Sequence, residues 1–204
     1  MNGLSKVNDL FSRLVDLLLM NLLFLLTSLP LISIGPSLCA LYSVNLKMVR
    51  GEDGHLIRAY FRSFRENFRQ ACPASILFGL GFALLLADLR IAMTHSGTMY
   101  LLVGIFSGIA LAALSICFLY FFPILSRFQF TVKQVFVHML DMIGSQPKTL
   151  GLLVLLDLPF VFFLCYSVYT AAAVSIFLCI IGFSALTHVQ ATLFQPLFAP
   201  YERS

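Results

Sequence analysis

The chain has 204 residues, of which 60% are hydrophobic and only 11% charged, with a mean hydropathy of +0.95. A soluble domain carries roughly 25% charged residues. A ball of this size cannot hide such a surplus of apolar surface, so the solvent of the fold is lipid. The net charge of +4 is then a topology signal. No RNA- or DNA-reading motif accompanies it, and no nucleic-acid partner is expected.

Five cysteines (Cys39, Cys72, Cys117, Cys165 and Cys179) sit in apolar stretches or at their edges, without CxxC spacing or a nearby His at ligand distance. They read as small packing residues, and neither a metal nor a cofactor is expected. Nor is a removable signal: Asp9 and Asp16 punctuate the start, the apolar run outlasts an h-region, and Leu38 is not the small residue a lipoprotein site needs before Cys39. The chain reads as mature throughout.

Residues 1–13 form a short polar lead, with Lys6 and Arg13 facing Asp9. From Leu14 to Leu46 the sequence is almost continuously apolar. A straight helix of that length would run ~50 Å against a ~30 Å hydrocarbon core. Pro30 and the pair Gly35-Pro36 break the backbone ladder where they stand. Two short helices, roughly 14–29 and 36–49, are therefore expected around a non-helical break at Pro30–Gly35. Irregular backbone at that depth must be covered by protein or line a wet cavity. A hairpin, or one span followed by an interfacial helix, fits the pattern. Lys6 and Arg13 favour the hairpin with the N-terminus inside.

Residues 54–70 form the basic centre of the chain. At about 100° per residue, Ile57, Phe61, Phe64 and Phe68 share one face, with Tyr60 beside them. Arg58, Arg62, Arg65 and Arg69 form a flanking stripe, and Ala59, Ser63, Glu66 and Gln70 fill the remaining polar arc. Such a helix suits a membrane interface, with rings in the acyl boundary and guanidiniums at anionic head groups. It holds four of the thirteen Lys and Arg residues. The positive-inside rule therefore places it on the cytoplasmic face. Because all four arginines lie on one flank, a protein contact is also open to them, through the 126–148 segment or a partner.

Pro73 suits the first turn of a span over about 74–93, with Asp88 and Arg90 near its outer end. A turn at His95-Ser96-Gly97 follows. Tyr100 and Tyr120 bracket the next span, ~30 Å apart along a helix, and Phe122-Pro123 ends it. Residues 126–148 form a second, less basic interfacial segment closing at Gly144–Pro147. Spans over about 149–168 and 173–195 flank a turn around Tyr169–Ala172, and the polar tail 201–204 lies inside. An internal echo relates Pro30-Leu-Ile-Ser33 to Pro123-Ile-Leu-Ser126, and Gln70-Ala-Cys-Pro73 to Gln146-Pro147. It suggests a repeat of 14–93 and 99–170 within a single membrane domain, followed by the last span.

The run Leu29-Pro30, Ile34-Gly35-Pro36, Ala40-Leu41-Tyr42, then Phe61, Phe64, Asn67-Phe68 and Gln70, resembles the YesL-like family of bacterial integral membrane proteins (domain of unknown function 624). Phe122-Pro123, Leu125, Arg127-Phe128 and Pro147-Lys-Thr-Leu150 extend the likeness over most of the chain. The resemblance implies a multi-pass protein of the bacterial inner membrane, in a setting of carbohydrate uptake. It carries no catalytic or binding residue with it.

No GxxxxGK[ST] loop, GxSxG, HExxH or carboxylate pair points to an enzyme. The coupling motif of ABC permeases fails around Leu140–Gly144 and Leu158-Pro159, where the spacing is too long. The deepest ionisable residue is Asp157, ~12 Å into its span. Folding the last two spans together brings His188 near its level. Such groups usually face a partner or water. Asp157 and His188 are therefore a polar centre for proton or solute handling, or an inter-helix hydrogen bond to each other or to a backbone carbonyl, or two groups without a contact. The expected protein is all-α and polytopic, with five or six membrane segments and cytoplasmic amphipathic helices. Two functional readings follow: a non-enzymatic accessory component of carbohydrate uptake, partnered by anionic lipid and by a sugar ABC permease or itself, or a small-solute transporter using the Asp157 region.

Overall fold

The structure is a computed structural model and describes residues 2–52, 54–128 and 130–198. The polar tail 201–204 lies outside them. All regular structure among the described residues is helical, and six helical stretches are long and apolar enough to cross a membrane. The chain is an all-α, multi-pass membrane protein.

Helix α1 (Asn2–Ser28) takes in the expected polar lead. The break after it is shorter than the sequence suggests. The chain bends at Leu29 and Pro30 and makes one 3-10 turn, Leu31–Ser33; α2 (Ile34–Val49) already contains Gly35 and Pro36. Pro36 falls in the first turn of α2, where a backbone N–H has no intrahelical acceptor and its loss is free. Residues 29–32 of the bend are exposed, and serine side chains satisfy carbonyls beside them. The Ser33 hydroxyl is shared between the carbonyls of Thr27 (2.5 Å) and Pro30 (2.7 Å), and the Ser37 hydroxyl reaches Thr27 Oγ1 (3.0 Å). Met20 and Phe24 of α1 share a buried cluster with Ala40, Leu41 and Val44 of α2, so the two helices fold back as a hairpin.

Pro73 does not begin a new helix. The basic stretch and the next span are one continuous α3 (Leu56–Thr94) of 39 residues, with Pro73 in its interior. An interior proline costs roughly 3 kcal/mol. Here one buried stripe runs through the site on both sides: Leu56, Tyr60, Ser63, Ala71, Ala74 and Phe78 all face the protein. Continuity of that stripe outweighs the missing hydrogen bond. Likewise Phe122-Pro123 does not end α4 (Thr98–Arg127), because both residues are buried in the core. Tyr120 is also fully buried, so it does not mark an interface; its ring meets Phe194 edge-on.

The 126–148 segment contains α5 (Val132–Ser145), started by a Thr131–Gln134 capping box in which the Thr131 N–H donates to Gln134 Oε1 at 2.9 Å. Helix α6 (Pro147–Tyr166) follows. The expected turn at Tyr169–Ala172 is instead the single extended residue Ser167, and those residues lie within α7 (Val168–Phe177). Helix α7 passes through one π turn, Leu178–Gly182, into α8 (Phe183–Phe198).

Helix α2 sits at the centre and touches α1, α3, α4 and α8; none of its residues is exposed. Around it, Leu77, Leu84, Phe106, Ile109, Leu155 and Val161 of the longer helices present apolar side chains outward, as lipid-facing helices do. Gly35 sets the closest approach. A Cβ there would lie 2.4 Å from the Ala71 carbonyl oxygen and 2.8 Å from Ser75 Cβ, both on α3. Small residues allow such contacts between membrane helices.

Gly→Ala in a helix usually gains up to about 1 kcal/mol. Gly108→Ala and Gly151→Ala, where an added Cβ meets nothing within 4 Å, should follow that rule. Gly35→Ala should reverse it and cost about 1–3 kcal/mol through overpacking. Thermal unfolding of the three variants in one detergent checks the sign.

Candidate functional site

The intramembrane polar groups converge on α2 and α8, and each makes a directed pair. The Tyr42 hydroxyl on α2 donates to Gln190 Oε1 on α8, and Gln190 Nε2 donates to both carboxylate oxygens of Asp157 on α6, at 2.8 and 3.1 Å. One buried amide thus uses its acceptor towards α2 and its donors towards α6. A turn away along α8, Asn45 Nδ2 donates to Thr187 Oγ1 at 2.7 Å, and Asn45 Oδ1 takes His188 Nδ1 at 3.2 Å. That pairing places the proton on Nδ1, since an amide oxygen only accepts. Asp157 and His188 therefore do not bond to each other, which was one of the alternatives the sequence left open. They end two separate chains, each on a side-chain amide, Gln190 for Asp157 and Asn45 for His188.

A third pair explains the π turn. Asn21 of α1 is fully buried; its Nδ2 donates to the carbonyls of Leu178 (3.1 Å) and Cys179 (2.8 Å), and its Oδ1 accepts from the Ser184 N–H (3.1 Å). A π turn frees backbone groups from the regular ladder, and lipid offers them no substitute. A single side-chain amide supplies both a donor and an acceptor there.

The sequence did not single out Asn21, Tyr42, Asn45, Thr187 and Gln190. A signal was available, because uncharged amides within long apolar runs face the same lack of water as Asp157 does. Cys39 is buried, with its thiol 3.8 Å from the Phe122 carbonyl oxygen, as expected of a packing residue, whereas Cys179 is exposed.

The basic half of α3 presents two different faces. Arg58, Arg62, Arg65 and Arg69 are all exposed, as are Ile57, Phe61 and Phe68. The face assigned to the polar arc differs, since Ser63 is buried and its oxygens accept from Asn67 Nδ2 at 2.9 and 3.2 Å. Within the stripe, Arg62 Nε lies 3.6 Å from Glu66 Oε1 in an exposed i,i+4 pair. Between this half of α3 and the ends of α2 and α4 lies a cavity of about 470 Å³, lined mainly by polar side chains that include Lys47, Asn67, Gln70 and Arg127. Pro30, Gly35 and Pro36 lie at the α1–α2 bend and shape the fold around it.

Residues 17–89, from α1 to the far part of α3, match the family described as "Protein of unknown function, DUF624". Uncharacterized protein YesL of Bacillus subtilis (strain 168) is 27% identical over 135 residues, covering 66% of this chain and 63% of that protein. Over these residues the chain is similar to the YesL-like DUF624 family. The match to that relative thus leaves more than a third of its length uncovered. The family segment includes the hairpin bend, the Gly35 contact and the whole arginine stripe, but stops before α4. No solved structure matches the chain.

Replacing Asn21 with Leu should leave the π-turn carbonyls without donors and lower stability by about 1–3 kcal/mol. A π turn is one residue inserted into an α-helix. Deleting Ile180 should restore the regular ladder and make Asn21→Leu much less costly. Chemical unfolding of the single and double variants reads the coupling directly.

Proposed function

We propose that this protein is a non-enzymatic accessory component of a bacterial carbohydrate-uptake system, resident in the inner membrane with the basic half of α3 on the cytoplasmic side. The observation that supports it is the exposed face of α3, where four guanidiniums and three apolar side chains lie side by side although the same helix buries its opposite face. The occupant is a permease subunit of a sugar ABC transporter, whose carboxylates the one-sided arginine flank would engage through its planar forks. The carbohydrate setting is what the family resemblance implies.

Lipid binding by such a stripe is roughly interchangeable between Arg and Lys, at about 1 kcal/mol per basic residue. Docking on carboxylates is not. Changing Arg58, Arg62, Arg65 and Arg69 together to Lys should leave insertion intact but abolish co-purification with a co-expressed sugar permease. Undiminished co-purification would reduce the stripe to a lipid anchor, and capture of a second copy alone would replace the permease with a homodimer.

A second reading, a small-solute transporter in its own right, draws on the Tyr42–Gln190–Asp157 chain, which leads from the buried centre to a half-exposed carboxylate. The accessory reading expects no uptake by the purified protein in vesicles, and sugar growth that depends on the permease. Solute uptake that Asp157→Asn abolishes, with the variant still folded, would decide for the transporter.

A further inference from the structure

The polar cavity between α2, α3 and α4 shares one residue, Arg62, with the exposed arginine stripe. Lys47 and Arg127 reach it from the ends of α2 and α4, both half-buried, and Arg62 closes it from α3. Among the described residues Glu66, 3.6 Å from Arg62, is the one carboxylate on the wall, which also carries the three cations. Among the described residues Lys47 has no carboxylate within ion-pair distance. The Gln70 Oε1 atom is buried and accepts no hydrogen bond. A buried acceptor without a donor is costly, and a half-buried cation wants an anion. The volume of about 470 Å³ lies within the ~300–1,000 Å³ usual for small-molecule sites.

We infer that this cavity binds a phosphate ester carrying free hydroxyls, a phosphoglycerol group: Lys47, Arg62 and Arg127 take the phosphate, while Gln70 Oε1 and the Glu66 carboxylate accept from the glycerol hydroxyls. The group could be a lipid head group or a soluble ester. The exposed Phe61 and Phe68 lie on the same helix as Arg62, Glu66 and Gln70 of the lining.

The test uses full-length protein in phosphatidylcholine nanodiscs. Added phosphatidylglycerol should bind about tenfold tighter than phosphatidylethanol, which has the same charge but no hydroxyls; one hydrogen-bonded contact accounts for that ratio. The arginine stripe cannot distinguish the two lipids, since it reads charge alone. Gln70→Met should remove the preference, and Lys47→Gln with Arg127→Gln should weaken both lipids. The lipid comparison on the unmodified protein needs no variant to fold. Protection by sn-glycerol 3-phosphate, without a phosphatidylglycerol effect, would assign the site to a soluble ester. Equal affinity for the two lipids with no effect of glycerol phosphate, or a preference that survives both substitutions, overturns the inference.

Discussion

The architecture depends on the near-contact of α2 with α3 at Gly35, where no room remains even for a methyl group. At 16 residues, α2 would be only ~24 Å long, shorter than a hydrocarbon core. It can occupy the centre because neighbours cover it on every side. Glycine at its start draws α3 in, and the ring of Phe122 closes from α4. Between helices lipid provides little hydrophobic drive, so dispersion at close approach has to hold them. That contact also fixes the level of the hairpin bend, whose carbonyls depend on Ser33 and Ser37.

Around that packed centre, side-chain amides carry much of the polar connectivity. Asn21 joins α1 to the π turn, Asn45 joins α2 to α8, and Gln190 joins α8 to both α2 and α6. An amide offers donor and acceptor on one rigid plane, so it can serve two helices without carrying charge. Individual inter-helix bonds of this kind average only about 0.6 kcal/mol. Their larger effect is to fix which helix faces meet, since apolar surfaces alone slide past one another at little cost.

Much of this was legible in the sequence. Hydropathy placed the membrane segments, and Pro30 marked a real bend between the first two. The proline at residue 73 misled, because sequence shows the lost hydrogen bond but hides the buried stripe from Leu56 to Phe78 that carries the helix across it. Pro123 misled for the same reason, its ring being locked in the core. A direct Asp157–His188 pairing, one alternative among several, rested on matching depths along two helices. Depth does not fix rotation, and rotation turned each residue towards an amide instead. Gln190 and Asn45 went unremarked because neutral side chains leave no mark in a charge count.

The unbroken α3 has a mechanical consequence. Its 39 residues form a rod of ~58 Å, nearly twice the thickness of the hydrocarbon core. Gly35 and Ala71 bring α2 against it near mid-length, which makes that contact a fulcrum. A tilt of about 5° about the fulcrum would swing each end by roughly 2–3 Å, in opposite directions. As a rigid rod, α3 would couple any displacement of its arginine end to an opposite one at the His95–Gly97 turn.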